Sequence, residues 1–367
     1  MRAIWATLKF AGILLGPILL LLAVYWFVRP PATFGDPAAA LALIGAIVSA
    51  ITWSLVRKPQ RRWYRVFLAA ATLAAFVFFG WRQFEAMRGY HQEAISFENR
   101  GAHLAATLYL PDHARAAPGI VWVHGSGPKS RSSAADIAAH FAQRGFAVLV
   151  YDKRGAGQSS GHFDGMNALA PGNIDVLASD ASAALSLLAA HPAVRDDAVG
   201  FVGESEAGWI VPRAAVLNGH AAFMLLLSGP VTSTHAFLRY ERFHIGAFDK
   251  PTFSLALKAY GQGDIPDGMS ANEAYDLAQR QTVRDFSFAD FDPMGDLSAL
   301  DIPGFWLLAE NDWTVPSGPT AHALDFLRQR GKPFAYEIIP NGSHAFHLGP
   351  RAPTLRAIDD WLAHFLD

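Results

Sequence analysis

Apolar and polar positions follow two different rhythms in this chain, and the change falls near residue 88. Before it, three stretches are apolar and almost free of charge, at about residues 10–28, 38–56 and 63–81. Each approaches the roughly 17–25 residues that a helix needs to cross a bilayer. The third has the shortest uncharged core, Val66 to Trp81, and Trp63, Tyr64 and Trp81 extend it as interfacial aromatics. Pro17 inside the first stretch is tolerated in lipid. A cleaved signal peptide is the alternative for the first stretch, because Arg2 and Lys9 precede it. Its length, the lack of a small-x-small site before Arg29 and the two apolar stretches that follow argue for an anchor instead. Residues 1–88 are therefore expected to be a membrane anchor of three transmembrane helices, with the lipid bilayer as partner.

The loops orient that anchor. The connection from Arg57 to Arg65 carries five positive charges and no negative one, whereas Arg29 to Pro37 carries one of each sign. Basic loops stay on the cytoplasmic side. The N-terminus is then inside, and everything after Trp81 is extracytoplasmic, on the periplasmic side. Were the third stretch not to span, the remainder of the chain would face the cytoplasm.

After residue 88 the pattern changes to short apolar runs alternating with amphipathic ones, which predicts an α/β domain over residues 89–367 with a mostly parallel sheet covered by helices on both faces. Ala94 to Phe97 and His103 to Leu110 read as an opening antiparallel pair. Gly119–Val123, Phe146–Tyr151, Val199–Val202, Phe223–Leu227, Phe305–Leu308 and Phe334–Ile339 read as buried strands. Helices are expected at Ser133–Arg144 and Ile174–Ala190. The gap from Val231 to about Leu300 is too long for a simple crossover and shows helical periodicity at 234–248 and 271–284, so it reads as an inserted helical cap over the substrate side.

Composition narrows the classes. Hydrophobic residues make up 51% and charged residues only 17%, in keeping with membrane segments. A formal charge of −2 leaves no basic footprint for nucleic acid. The absence of cysteine removes disulfides, thiolate catalysis and cysteine-bound metals.

Chemistry concentrates in three short segments. Val199 to Ile210 places Ser205 between Gly203 and Ala207, after an apolar run and before helical spacing at Ile210, Val211, Ala214, Ala215 and Leu217. A strand that turns at once into a helix presents its corner side chain in a strained conformation, and the flanking positions must be small. The bland reading is an ordinary turn with Ser205 as an N-cap. A serine nucleophile needs a base and an acid to orient that base, at the ends of later strands. Asp312 follows the run ending at Ala309, with Glu310 as a rival; its bland reading is a helix cap before Ser317. His344 follows the run ending at Ile339, with His347 as a rival; its bland reading is a structural loop histidine. The histidine pair does not make a zinc motif, so no metal is expected. Backbone N–H donors for an oxyanion are expected at Ser126, in the glycine-rich turn after Val121-Trp122-Val123, and at Glu206, just past the nucleophile.

With His124-Gly125-Ser126-Gly127-Pro128, Tyr151 to Ser159 and Gly203 to Ile210 in view, the chain resembles the α/β-hydrolase superfamily over roughly residues 95–367. More narrowly it resembles a bacterial branch with dienelactone-hydrolase-like and serine-aminopeptidase-like members. Ala207 and Ala309 stand where that pattern usually has glycine. The resemblance implies the α/β-hydrolase fold, a Ser205–His344–Asp312 triad without a cofactor, carboxylic ester hydrolysis first and peptide cleavage second. It also implies that Asp152 and Arg154 are scaffold. Expected partners are a small-molecule ester or peptide, with no nucleic acid; oligomeric state is not written in the sequence. Two other classes compete. A membrane-tethered binding protein would have no need of Ser, Asp and His in this order. A channel or transporter would need charged groups in its apolar segments, and those cores have none. The aromatics of the cap, among them Phe237 and Tyr240, are expected to be cap core more than pocket lining.

Overall fold

The structure is a computed structural model that describes residues 89–113, 116–164, 168–247, 288–312, 314–344 and 352–366. The three apolar stretches expected to span a membrane lie outside the described residues, as do His347 and the whole of the expected helix at 271–284. Among the described residues, no helix is long and apolar enough to cross a membrane.

Gly89–Asp367 forms a unit of its own. Its strands are β1 (Tyr90–Asn99), β2 (Ala102–Pro111), β3 (Ala117–Val123), β4 (Ala147–Tyr151), β5 (Val194–Glu204), β6 (Met224–Leu227), β7 (Gly304–Ala309) and β8 (Phe334–Ile339). Its helices are α1 (Ala135–Ala142), α2 (Pro171–Ala189), α3 (Ala207–Asn218), α4 (Thr234–Ala247), α5 (Met294–Ala299), α6 (Ser317–Arg328) and α7 (Ala352–Leu362). The eight strands form one sheet in the order β1-β2-β4-β3-β5-β6-β7-β8. β2 is antiparallel to both β1 and β4, and the pairings from β4 to β8 are parallel.

The apolar runs become strands because alternate side chains feed two cores. Val121, Val123 and Leu149 face one side with α2, α3, α5 and α6, while Ile120, Trp122, Val148 and Val150 face the other with α1 and α7. A strand buried on both faces reads as a continuous apolar run, as these do. On the second side Trp361 of α7 stacks on Phe305, 5.6 Å between ring centres, and Asp359 accepts hydrogen bonds from His140 and Arg144. The β1–β2 hairpin turns through Arg100 and Gly101, both at positive φ, the conformation that suits the twist of a tight hairpin.

The two described ends of the chain between β6 and β7 are tied to each other. Thr234 N–H donates to the Phe291 carbonyl, Phe291 N–H to Thr234 Oγ1, and His235 N–H to Asp290 Oδ1. Leu297 of the short α5 belongs to the main core, so the last part of the expected 231–300 cap packs as sheet cover.

Candidate active site

Only Ser205 and Glu206 separate the end of β5 from the start of α3. So abrupt a turn holds Ser205 at φ 51°, in the left-handed region that a non-glycine residue enters at a cost. Its N–H donates to the Leu227 carbonyl, and its carbonyl accepts from Gly208 N–H, which locks the corner in place. The turn requires glycine at 203. A Cβ there would lie 2.5 Å from the Ala207 Cβ and 3.0 Å from the Val123 carbonyl oxygen.

The structure brings Ser205, His344 and Asp312 together from three strand ends. Ser205 Oγ lies 3.0 Å from His344 Nε2, and His344 Nδ1 lies 2.8 and 3.0 Å from the two Asp312 carboxylate oxygens. A carboxylate can only accept, so Nδ1 carries the proton and Nε2 is the acceptor toward the serine hydroxyl. The Asp312 side chain is sealed from solvent, while that of His344 is 15% exposed. Thr314 and Val315 N–H groups also donate to Asp312 Oδ1, which fixes the carboxylate. The helix-cap reading of Asp312 does not apply, since α6 has Pro316 at its N-cap and no side-chain cap. Glu310 points elsewhere and accepts from Asn341 N–H.

The loops that carry Asp312 and His344 are joined to each other as well as to the sheet. Asn311 N–H donates to the Gly342 carbonyl, and Ser317 Oγ to the Ala309 carbonyl. Ser228, at the end of β6 with φ 49°, donates its hydroxyl to the His344 carbonyl. Tyr240 of α4 donates to the Asp312 carbonyl at 3.2 Å, and burial raises the pKa of its phenol, keeping it a donor. Phe237 packs edge-on against Trp209, within a small core that includes Ile174 and Val315. These two aromatics therefore tie α4 to the domain.

Gly125 and Ser126 lie just beyond the end of β3, beside the Ser205 turn: a Cβ on Gly125 would meet Glu204 and Ser205 side-chain carbons at 3.3 Å. Gly125 N–H donates to Glu204 Oε1, whereas neither Ser126 N–H nor Glu206 N–H has an acceptor among the described residues. His124 donates from Nε2 to the Tyr151 carbonyl, and burial lowers its pKa to about 4, so it is neutral.

The segment after β4 supports the site from behind. Asp152 accepts from the Arg131 guanidinium and from Arg131 and Gln158 N–H groups, and Arg154 pairs with buried Asp180, so both act within the scaffold. Between them, Lys153 is buried against Glu206 and the Gly125 carbonyl, a contact that sequence reasoning missed. The signal was a lysine inside an otherwise structural turn. Among the described residues, no cluster of three or more His, Asp or Glu side chains is placed to hold a metal ion.

Solved structures of similar fold include an acylaminoacyl peptidase of Pyrococcus horikoshii, at 17% identity and TM-score 0.52, covering 78% of this chain and 43% of that one. An esterase of Pyrococcus furiosus matches at 11% identity and TM-score 0.54, over 76% and 92% of the two chains. DcsB, solved with a substrate analogue, matches at 16% identity and TM-score 0.52, over 75% and 99%. At such identities the likeness is one of fold. No curated protein matches by sequence. A family match does, however: X-Pro dipeptidyl-peptidase, the S15 family, spans residues 100–345 and so takes in Ser205, Asp312 and His344. This chain belongs to that S15 family and is a serine hydrolase of the α/β-hydrolase fold.

Proposed function

We propose that this serine hydrolase cleaves carboxylic esters through an acyl-enzyme on Ser205. The observation that carries the reading is the unbroken line of hydrogen bonds from Asp312 through His344 to Ser205. His344 Nε2 takes the hydroxyl proton as Ser205 Oγ bonds to the ester carbon, and the carbonyl electron pair moves onto oxygen. Asp312 stays ionised; it holds the imidazole in the required tautomer and stabilises the imidazolium. Ser126 and Glu206 N–H groups receive the oxyanion. On collapse, the ester C–O bond breaks and His344 returns its proton to the departing alcohol. Water then repeats the sequence on the acyl-enzyme, releasing the acid and restoring Ser205. No cofactor takes part in this scheme.

A second reading is peptide cleavage, favoured by the S15 match over residues 100–345. The same residues serve both reactions, but an amine leaves only if His344 delivers its proton in time, so amides are more demanding than esters. Hydrolysis of nitrophenyl butyrate and of glycyl-proline nitroanilide by the full-length protein compares the two. A larger kcat/KM for the ester with turnover abolished in Ser205→Ala supports esterase action. A larger value for the anilide transfers the assignment to a peptidase, and undiminished turnover in Ser205→Ala removes Ser205 as nucleophile.

Residues 1–88 form the membrane anchor of this reading, with residues 89–367 on the periplasmic side and the part of the 231–300 stretch that precedes α5 as a cap over the substrate. The support is the three apolar stretches and the basic 57–65 loop. Resistance to alkaline extraction from membranes, and protease access to the hydrolase from the periplasm alone, are the expected results. Release by alkali would remove the anchor.

A further inference from the structure

One buried cation touches both segments that supply the oxyanion donors. Lys153 Nζ donates to the Gly125 carbonyl at 3.0 Å and to a Glu206 carboxylate oxygen, and the two side chains are only 3% and 1% exposed. A buried ion pair is weak evidence for stability, because desolvation offsets the attraction. Its placement calls for another account.

The Gly125 carbonyl and the Ser126 N–H belong to the same peptide group. A trans peptide is planar, so its C=O and N–H point in opposite directions, and fixing the oxygen fixes the direction of the N–H. A cation on that oxygen also polarises the N–H, making it a stronger donor. Gly125 N–H is engaged with Glu204, whereas Ser126 N–H lies on the very peptide whose oxygen Lys153 holds. At its other contact Lys153 grips the side chain of Glu206, whose own N–H is the second donor. The second Glu206 oxygen has no partner among the described residues, so Lys153 is the whole of its counter-charge there. Its ammonium also sits 5.7 Å from the centre of the Phe163 ring, which closes the space around it.

We infer that Lys153 is a positioning residue for the oxyanion site, setting the direction and spacing of the Ser126 and Glu206 N–H groups through one buried ammonium. This rests on the Ser205 acyl-enzyme reading. The lysine touches no substrate atom; it acts through the two peptide groups.

The test compares wild type, Ser205→Ala, Lys153→Met, Lys153→Arg, Glu206→Gln and the double variant Lys153→Met/Glu206→Met, all in the full-length protein and well below each melting temperature. Readouts are nitrophenyl butyrate kinetics, fluorophosphonate labelling and inhibition by an aryl boronic acid, whose tetrahedral adduct places an oxygen where the oxyanion forms. Removing an oxyanion donor outright typically costs about 10²–10³ in kcat, so misdirecting donors is expected to cost about 10- to 100-fold in Lys153→Met and in the double variant, with KM within about twofold. Boronate affinity should fall with kcat, and Lys153→Arg should recover most of both. The double variant separates the roles, since methionines can restore packing without a donor for Gly125. A double variant with wild-type melting and kcat within about threefold of wild type, beside an inactive Ser205→Ala, overturns the proposal and leaves the triad intact. A folded wild type that neither labels nor turns over overturns the Ser205 reading and this proposal with it. Should the methionine variants not fold, Glu206→Gln decides: weakened boronate binding supports the proposal, and unchanged binding overturns it.

Discussion

Substituting Gly203 with alanine puts a methyl carbon where the Ser205 turn has no room. It would lie 2.5 Å from the Ala207 Cβ, 3.0 Å from the Val123 carbonyl oxygen and 3.3 Å from the Val123 Cβ. Carbon pairs rest best at about 3.5–4.0 Å, so the first contact is about 1 Å too short. None of these atoms can swing aside: one is fixed at the start of α3, and the others belong to the central strand β3. Relief requires α3 to move away from β5, and that shift carries Ser205 and Glu206 with it. Overpacking of this kind costs about 1–3 kcal/mol, and with rigid neighbours the upper end is expected. At roughly 2–4 °C per kcal/mol for a domain of comparable size, melting should fall by about 6–12 °C. Near-ultraviolet circular dichroism of the full-length protein reads the melt, with nitrophenyl ester turnover measured at a temperature where both proteins are folded. Ala207→Gly alone should destabilise by about 1 kcal/mol, because glycine is a poor helix former. Combined with Gly203→Ala, however, it removes the closest contact, so the double variant should melt above Gly203→Ala. A double variant that melts below it, by the separate cost of Ala207→Gly, would refute the steric account.

The Asp312→Asn variant should keep its fold, since Thr314 and Val315 N–H groups can still bond the remaining oxygen. Its kcat should drop by about 10⁴-fold because His344 is then held in the wrong tautomer; loss of less than about tenfold would remove the acid from the scheme. His124 predicts a pH effect on stability. Burial holds its pKa at about 4 against an ordinary 6.5, so the unfolded chain binds a proton that the folded protein refuses. The stability present above about pH 6.5 is thus lost as pH falls toward 4, by about 3 kcal/mol from this group. Urea unfolding from pH 7 to 4 should show that loss in wild type and a smaller one in His124→Gln. Equal losses in both would acquit His124.

Much of the fold was legible because its physics is local. A strand buried on both sides must be apolar throughout, so β3, β4, β6 and β7 announce themselves, and the spacing of functional residues after β5, β7 and β8 follows from the sheet. Two helices were missed. α5 has six residues, too few for periodicity to show. α7 does carry a signal, Leu355, Ile358 and Leu362 at helical spacing, of which Ile358 and Leu362 are buried in the second core. The Lys153–Glu206 contact could not be read at all. Its partners are 53 positions apart, and a charged residue beside a glycine-rich turn looks solvated until the sheet folds the two turns together. Tyr240 and Ser228 escaped for the same reason: each bonds to a backbone carbonyl of a distant loop, and a carbonyl has no sequence signature.

The tied ends of the excursion between β6 and β7 make that stretch exchangeable. Thr234, His235, Asp290 and Phe291 close it at its base with bonds that do not depend on what lies between. Lengthening a connection whose ends are already held together adds to its closure cost only slowly, by about 0.6 kcal/mol for each doubling of its length. Sequence between Ala247 and Phe288 can therefore lengthen, shorten or be replaced with little effect on the register of β6 and β7. If that stretch is the substrate cap proposed above, selection can rework what this enzyme admits while leaving untouched the strand ends that hold Ser205, Asp312 and His344.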